Sequence, residues 1–181
     1  MILIKYIEEN RIYRRCRLFI FLILAFFLLQ SCKSLDMTVM QEFKADIGVD
    51  DEEQVVSISI HNILFNDSHV PTLLQFPKLK RLYLMNTSVT DVGMKSIGKL
   101  KNLQLLNLSN GKFSYKGITY IERLPHLEEL ILEGNTMIRN SAIITLSRMP
   151  SLKYLNVRNT SVSLDALLLL QKKLPDCLVE F

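Results

Sequence analysis

The feature that most constrains this chain is a pattern of leucines that recurs about every 24 residues. Each copy reads L-x-x-L-x-L, so that three apolar columns can be aligned. The first column holds Leu79, Leu103, Leu127 and Leu152, the second Leu82, Leu106, Leu130 and Leu155, and the third Leu84, Leu108, Leu132 and Val157. One copy cannot bury its own apolar stripe, whereas stacked copies share a continuous core. The chain is therefore expected to fold as a stack of repeated turns.

Each copy contains the signals of a strand, a loop and a short helix. Alternation of period two predicts a strand in which Leu82 and Leu84 face inward and Arg81, Tyr83 and Met85 face outward. Apolar positions at helical spacing follow a column of small residues, which holds Gly93, Gly117, Ala142 and Ala166. Residues 55–76 fit the same template, although His69 stands in the small column. The pattern thus predicts five turns.

The loop Asn86-Thr87-Ser88-Val89-Thr90-Asp91-Val92-Gly93 completes the pattern of the second turn. With the leucine columns, it resembles the leucine-rich repeat family of the short-strand, helix-backed kind, from Val55 to the C-terminus. The resemblance implies an α/β leucine-rich repeat solenoid of about five strand-loop-helix turns with a parallel sheet on the concave face. The third copy departs from the pattern because Tyr115 replaces the Asp, and the fourth has Arg139-Asn140.

Polar columns accompany the apolar ones. Thr90, Ser114 and Ser163 stand where a helix N-cap would accept a backbone hydrogen bond. Gly93 and Gly117 are expected to let the helix approach the strands closely. An Asn column follows the strands, and its register slips by the single residue Gly134. These Asn side chains are expected to be buried and to satisfy backbone groups of the neighbouring turn. Its members are Asn62, Asn86, Asn110, Asn135 and Asn159.

The N-terminus has the pattern of a secretion signal. Residues 1–17 carry five basic and two acidic side chains, and residues 18–29 are all apolar, a run shorter than the roughly 20 residues of a membrane span. Leu29-Gln30-Ser31-Cys32 then resembles the lipobox of bacterial lipoprotein precursors, which implies acylation of Cys32. An uncleaved apolar anchor is the alternative. Either places the protein on a membrane of a bacterial cell envelope, and the resemblance favours the outer membrane if the cell is Gram-negative.

These features divide the chain into a signal peptide (1–31), a lipidated Cys with a short tether and an N-terminal cap (32–54), and a repeat domain with its own C-terminal cap (55–181). The acidic run Asp50–Glu53 is interpreted as a solvated turn of the first cap, since its spacing is not that of a calcium loop. Residues 174–181 resemble the closing strand of some bacterial repeat chains. Cys177 within them is expected to be a small buried apolar filler.

The net charge and the motifs indicate neither nucleic-acid binding nor catalysis. The net charge of +4 falls to about +1 without the leader, so that a basic patch for nucleic acid is not indicated. The sequence contains no H-x-x-x-H pair, no C-x-x-C, no nucleophile elbow and no phosphate-binding loop. No cofactor or metal is therefore expected. Glu133 and Arg158 are interpreted as an exposed cross-strand ion pair.

The outward strand positions are the candidate binding site. They mix apolar anchors with charges, a composition that suits a protein partner or another envelope component. The alternatives are that aromatic and β-branched residues only stabilise strands, or that the repeats pack against copies of themselves as a structural lipoprotein. The candidate residues are Arg81, Tyr83, Met85, Leu105, Asn107, Glu129, Ile131, Glu133, Tyr154, Asn156 and Arg158.

Overall fold

The computed structural model describes residues 37–181. Met40–Phe181 form one compact unit, and Met37–Val39 lie outside it. The signal peptide and Cys32 lie outside the described residues, so the predictions made for them stay predictions. Residues 40–54, which were assigned to a cap, lie in the same compact unit as the repeats.

Seven strands form a single sheet in which the spatial order follows the chain order. The first two strands pair antiparallel, and every later neighbour pairs parallel. The prediction of a parallel strand row is thus confirmed from the second strand onward. The strands are β1 (Asp46–Val49), β2 (Val55–Ile60), β3 (Arg81–Leu84), β4 (Leu105–Asn107), β5 (Glu129–Ile131), β6 (Tyr154–Asn156) and β7 (Leu178–Glu180).

Helical segments connect the parallel strands. Residues 37–42 are helical, and a 3₁₀ helix (Val70–Gln75) with Pro71 in its first turn follows β2. Four α-helices follow the next strands: α1 (Asp91–Ile97), α2 (Tyr115–Ile121), α3 (Ala142–Leu146) and α4 (Leu164–Lys173). Among residues 37–181, no helix combines the length and apolar character that a membrane span requires.

The core lies between the sheet and these helices, where the leucine columns were predicted to lie. Leu82, Leu106 and Leu130 are directly opposed in register, and all three are fully buried. Helix residues such as Met94 and Ile118 cover them from the other side and are also fully buried. Each turn therefore completes its core only with its neighbours, as expected for a stacked repeat.

The N-cap prediction is confirmed for three helices. The hydroxyls of Thr90, Ser114 and Ser163 accept hydrogen bonds from the backbone N–H groups of Val92, Lys116 and Ala166. Helix α3 has no such bond, because the side chain of Ser141 does not cap it.

The glycines at 93 and 117 have a role that the sequence pattern did not indicate. Each accommodates an Asp carboxylate of the preceding turn: Asp67 Oδ1 lies 2.9 Å from Gly93 N, and Asp91 Oδ1 lies 2.9 Å from Gly117 N. The same carboxylates accept hydrogen bonds from the backbone N–H and the hydroxyl of the cap residues Thr90 and Ser114. A Cβ at Gly117 would meet Asp91 Oδ1 at 2.7 Å. The small residue thus leaves room for a carboxylate.

This Asp arrangement stops at Tyr115, which occupies the equivalent position in the third turn and is 40% exposed. The next helix, α3, is accordingly the shortest of the four, at 5 residues, and its first turn contains Ala142 instead of Gly. In the fourth turn Asn140 partly restores the arrangement, because its amide contacts both the backbone N–H and the hydroxyl of Ser163.

The prediction of a buried Asn column is wrong for most of its members. Asn86, Asn110 and Asn159 have positive φ values of 53°, 55° and 55°, and none of the three is buried. They provide left-handed turns after the strands, a conformation that Asn tolerates better than most residues. Asn62 is half-buried and accepts a local hydrogen bond from Leu64 N.

Asn135 alone of this column is buried, with 1% exposure. Its Nδ2 donates to Leu108 O at 2.9 Å and Leu132 O at 2.7 Å, and its Oδ1 accepts from Gly111 N at 2.8 Å. Gly134, with φ +74°, takes the left-handed position that Asn86 holds in the second turn. Asn135 is therefore the residue that follows the left-handed position. This repeat is one residue longer than the second, and the additional residue lies between Asn135 and Ile138.

Candidate partner-binding surface

The strand face is the side of the sheet that points away from the helices. Its first row runs across the strands through Ser57, Arg81, Leu105, Glu129, Tyr154 and Leu178, and its second through Ser59, Tyr83, Asn107, Ile131, Asn156 and Glu180. The candidate residues within the strands fall into these rows in the predicted order. Met85 follows β3 directly, and Ser109, Glu133 and Arg158 lie two residues beyond the ends of β4, β5 and β6.

Four apolar residues form a continuous stripe on the strand face. Leu105 lies opposite Arg81 and Glu129, and Ile131 lies opposite Asn107 and Asn156. Tyr83, Leu105, Ile131 and Tyr154 consequently alternate between the two rows, and each is a diagonal neighbour of the next. All four side chains are half-buried. Because neighbouring strands are about 4.8 Å apart, the stripe crosses the sheet over roughly 15 Å.

Two asparagines of the second row lie almost completely within the face. Asn107 is 9% exposed and Asn156 is 7% exposed. Asn107 Oδ1 accepts from Ser109 N at 3.0 Å, and Asn156 Oδ1 accepts from Arg158 N at 2.9 Å. These side chains hold the backbone just beyond the ends of β4 and β6. They lie between the apolar residues and are almost completely covered. The more exposed side chains beside them are the ones that a partner could contact.

The charges of the strand face are arranged differently from the prediction at one point. Arg158 Nε lies 3.9 Å from a carboxylate oxygen of Glu180, and this is the ion pair that Arg158 makes. Glu133 instead lies 3.5 Å from Asn156 Nδ2. The predicted pair between Glu133 and Arg158 is wrong because β7 brings Glu180 to the far side of Arg158. Arg81 and Glu129 flank Leu105 and are exposed.

Tyr154 lies where the apolar stripe meets this charged group. Burial raises the pKa of its phenol, and a hydrogen bond and charge repulsion from Glu180 raise that pKa further. Its hydroxyl therefore keeps its proton, and can donate a hydrogen bond, to a higher pH than an ordinary tyrosine.

The sequence comparison of the five turns missed the residues that β7 adds to this face. Leu178 pairs with Tyr154 and is 62% exposed, and Glu180 pairs with Asn156. The sequence indicates a closing strand at residues 174–181, and the period-two alternation of that strand is the signal that identifies both side chains as part of the face. Cys177, just before this strand, is 3% exposed, as expected for a buried filler, and burial raises the pKa of its thiol.

An open pocket of about 540 Å³ lies at the edge of the sheet where the parallel strands begin. The turn between β1 and β2 forms one wall, with Asp50, Asp51 and Glu52, while Lys78 and Lys80 lie on another. Asp50 Oδ1 accepts hydrogen bonds from Glu52 N and Gln54 N, so part of this acidic run stabilises its own turn. Among residues 37–181, no group of three or more His, Cys, Asp or Glu side chains has the arrangement of a metal site.

Comparison with known proteins shows that part of the chain is similar to a known repeat family. Residues 77–137 match the model of the leucine rich repeat family. Over 63 residues the chain is 40% identical to nephrocan of Mus musculus, a match that covers 34% of this chain and 12% of nephrocan. This chain therefore spans only a small part of that relative.

Two solved structures show partial similarity. One is a leucine-rich repeat protein of Leptospira interrogans, with a TM-score of 0.48 and 28% identity over 61% of this chain and 27% of the other. Another is internalin C2 of Listeria monocytogenes, with a TM-score of 0.45 and 14% identity over 69% of this chain and 70% of the other. The leucine columns, the row of parallel strands backed by helices and the family match at residues 77–137 together make this fold an α/β leucine-rich repeat solenoid.

Proposed function

We propose that this protein is a membrane-anchored leucine-rich repeat lipoprotein that binds a protein or another component of the cell envelope through its strand face, the concave side of the solenoid. Binding requires no cofactor and is not coupled to catalysis. The observation that carries this proposal is the apolar stripe of Tyr83, Leu105, Ile131 and Tyr154, which lies beside charged residues on the strand face.

The composition of the stripe supports binding to a protein surface. Interfaces are enriched in Tyr and Arg at their centres, with apolar anchors surrounded by polar groups. Here Tyr83 and Tyr154 stand at the two ends of the stripe, while Arg81 and Glu129 flank Leu105 on both sides. A partner with an apolar ridge and charges of both signs would complement this arrangement.

The rigidity of the face supports the same proposal. Asn107 and Asn156 are held by hydrogen bonds to the backbone of residues 109 and 158, so the positions of the neighbouring apolar side chains are set before a partner arrives. A surface that is ordered in advance loses less conformational entropy on association.

The membrane anchor rests on the leader, which ends in Leu29-Gln30-Ser31-Cys32. Acylation of Cys32, with palmitate among the attached chains, would leave only a short tether before the compact unit that begins at Met40. The strand face would then operate close to a membrane surface. Replacement Cys32→Ser tests this step, because it is expected to abolish acylation and to release the protein from membranes. Retention in the membrane fraction would show instead that the apolar run 18–29 stays as an uncleaved anchor.

A structural role in the envelope is the second candidate function. The observation that favours it is the exposed apolar side chains of the last turn, which include Leu169 and Phe181 at 61% and 64% exposure. In this role the repeats pack against copies of the same chain, and the strand face needs no separate partner.

The experiment that tests the binding function is a crosslinking pull-down from cells of the source organism, with identification by mass spectrometry. The full chain is compared with a variant that carries Tyr83→Ala, Ile131→Ala and Tyr154→Ala. A matched control carries Tyr115→Ala, Tyr120→Ala and Ile144→Ala, which removes the same residue types from exposed positions on the helices. The proposal requires one partner that is retained by the control and lost by the strand-face variant. Equal recovery with both variants would contradict it.

A further inference from the structure

The helices present three columns of side chains on the side of the solenoid that faces away from the strands. Each of α1 to α4, with its flanking residues, contributes one residue to every column, at the spacing of three and four that places residues on one face of a helix. All twelve residues are exposed, and this surface is called the outer helix face. Its columns are Val92, Lys116, Ser141 and Asp165; Lys95, Thr119, Ile144 and Leu168; and Lys99, Arg123, Arg148 and Lys172.

The third column is a row of basic residues on four successive turns. Lys99, Arg123 and Arg148 occupy the same place after a helix, because the residue that follows each of them makes an equivalent backbone hydrogen bond, of 2.9, 3.0 and 3.1 Å. Lys172 continues the row within α4. Successive helices pack against each other, at a typical separation of about 8–10 Å. The row therefore holds four cations on one side of the stack.

Acidic groups neutralise the outer helix face only in part. Asp165 is the acidic member of its columns, and Glu122 lies beside the face with Oε1 3.8 Å from Arg148 Nη1. The six basic residues of the face against these two carboxylates leave a net charge of +4. Asp91 lies next to the face as well, but it is half-buried and its carboxylate is already bound to the backbone of the next turn.

The opposite charge lies in another part of the compact unit. Residues 40–54 carry six acidic side chains against the single basic residue Lys44, whereas residues 40–181 as a whole have a net charge of only +1. The low net charge thus conceals an acidic end and a basic helical side. An anionic surface can therefore be attracted to the outer helix face although the chain is almost neutral.

Stabilisation of the helices does not account for this distribution. A cation near the end of a helix interacts favourably with the helix dipole, which suits the third column. Lys116, however, lies in the first turn of α2, where the dipole disfavours a cation. The first turns of α2 and α3 also lack the acidic residues that the dipole favours there. The basic character of the face thus exceeds what the helices require.

The proposed anchor at Cys32 keeps this basic surface within reach of a bilayer. The chain from Cys32 to Met40, where the compact unit begins, spans at most about 28 Å when fully extended. Anionic phospholipid headgroups attract Lys and Arg near a membrane, and the long stems of these side chains let the charged ends reach the headgroups. A membrane surface therefore complements the outer helix face in charge and is already close to it.

From these relationships we propose that the outer helix face rests on the anionic lipid headgroups of the membrane that carries the anchor, so that the strand face points away from the bilayer. This inference rests on the membrane anchor of the proposed function. The ends of the basic side chains make the contact, so small water-soluble reagents still reach Tyr115 and Tyr120, which lie outside the three columns. The strand face, on the other side of the sheet, stays free for its partner.

The first test measures which side of the solenoid is nearer the lipid. The chain contains no Trp, so Leu168→Trp on the outer helix face and Leu178→Trp on the strand face each introduce a single fluorescent donor in the last turn, at positions 54% and 62% exposed. The full chain is reconstituted into vesicles of phosphatidylglycerol and phosphatidylcholine that contain a dansyl-labelled lipid as the acceptor. Energy transfer is expected to be at least about twofold higher for Leu168→Trp, because roughly 10 Å of packed core separates the two sides. In vesicles of phosphatidylcholine alone, this difference is expected to disappear.

The second test reverses charges in the Leu168→Trp chain. Lys99→Glu with Arg123→Glu is expected to lower the energy transfer to the level of Leu178→Trp. The matched control, Lys78→Glu with Lys80→Glu, changes two exposed lysines at the edge of the sheet and is expected to leave the transfer unchanged. Addition of salt is expected to reduce the transfer in the unreversed chain, since exposed charges are screened. Thermal unfolding establishes that all variants are folded.

Flotation of the chain with the vesicles separates a failure of this inference from a failure of the anchor. Flotation with both kinds of vesicle, with equal transfer from the two tryptophan positions, would leave the anchor in place and overturn the orientation. Flotation with anionic vesicles alone would support the lipid contact and contradict the anchor, and flotation with neither would contradict both. If the charge reversal leaves the transfer unchanged but removes a crosslinked protein in envelopes, the outer helix face binds that protein instead of lipid.

Discussion

The carboxylate of Asp91 and the backbone of Gly117 lie 2.9 Å apart, although they belong to different turns of the solenoid. The same carboxylate also accepts hydrogen bonds from the backbone N–H and the hydroxyl of Ser114, both at 2.8 Å. One acidic side chain therefore satisfies the start of the next helix, and the missing Cβ of Gly117 is what gives it room. This contact connects successive turns through their helices, in addition to the hydrogen bonds between strands.

Replacement of either residue is expected to destabilise the fold, and the two effects should be coupled. Asp91→Ala removes the acceptor for three hydrogen bonds and is expected to lower the free energy of unfolding by about 1–3 kcal/mol. Gly117→Ala forces a Cβ to within 2.7 Å of the carboxylate, at a similar cost. In the double variant the carboxylate is absent, so the total loss should be smaller than the sum by more than about 0.5 kcal/mol. Urea unfolding of the four proteins measures this, and strict additivity would mean that the contact does not act as described.

Asn135 and Asn110 provide a second contrast, because one is buried and the other lies in an exposed left-handed turn. Asn135→Ala leaves Gly111 N and two carbonyl oxygens without their side-chain partner and is expected to cost about 1–3 kcal/mol. Asn110→Gly keeps the backbone conformation at φ 55° and is expected to change stability by no more than about 0.5 kcal/mol. Thermal or urea unfolding distinguishes the two. Similar losses at both positions would contradict the different roles assigned to them.

Leu106 tests whether the apolar columns form one core. It is fully buried in β4, with Leu82 and Leu130 opposite it on the neighbouring strands. Leu106→Ala opens a cavity between turns that cannot collapse easily, and the expected loss is about 2–5 kcal/mol in the free energy of unfolding. The exposed Leu168→Ala on α4 serves as the control and should have little effect. A near-neutral result for Leu106→Ala would mean that the turns do not share a core.

The phenol of Tyr154 makes stability depend on pH in the alkaline range. Its pKa is raised in the folded protein by burial and by Glu180. A raised folded pKa means that the contribution to stability is fully present below the unfolded pKa of about 10 and is lost as pH rises through the folded value. Wild-type stability should therefore fall more steeply above about pH 10 than that of Tyr154→Phe. Urea unfolding at a series of pH values measures the difference, and parallel curves would contradict it.

The strand positions could be predicted because period-two alternation and the leucine columns fix the register independently of any loop. Once Leu82, Leu106 and Leu130 are aligned, the outward residues beside them are determined, and the apolar stripe follows. The hydroxyl N-caps could also be predicted from the sequence, since Thr90, Ser114 and Ser163 are each followed by apolar residues at helical spacing. These features depend on local pattern and on a single repeated geometry.

The polar contacts between turns were less accessible to sequence reasoning. The Asn column combined two structural roles, because Gly134 takes over the left-handed position in the fourth turn and moves Asn135 into the interior. The Asp67 and Asp91 contacts also span two turns, so no pattern within one repeat reveals them. The sequence pattern pairs Arg158 with Glu133 because the repeat columns do not extend to β7, which contributes Glu180 as a further strand of the binding face. The errors therefore concern contacts between turns and the left-handed positions that follow the strands.

The most direct test of the strand face as a binding surface is the chemical modification of tyrosine in intact envelopes compared with the purified chain. Tyr83 and Tyr154 lie on the strand face, whereas Tyr115 and Tyr120 lie on the helices at 40% and 45% exposure and report on general access. We expect Tyr83 and Tyr154 to be protected in envelopes and reactive after purification, while Tyr115 and Tyr120 react equally in both. Equal reactivity of all four tyrosines in envelopes and in the purified chain would mean that no partner covers the strand face.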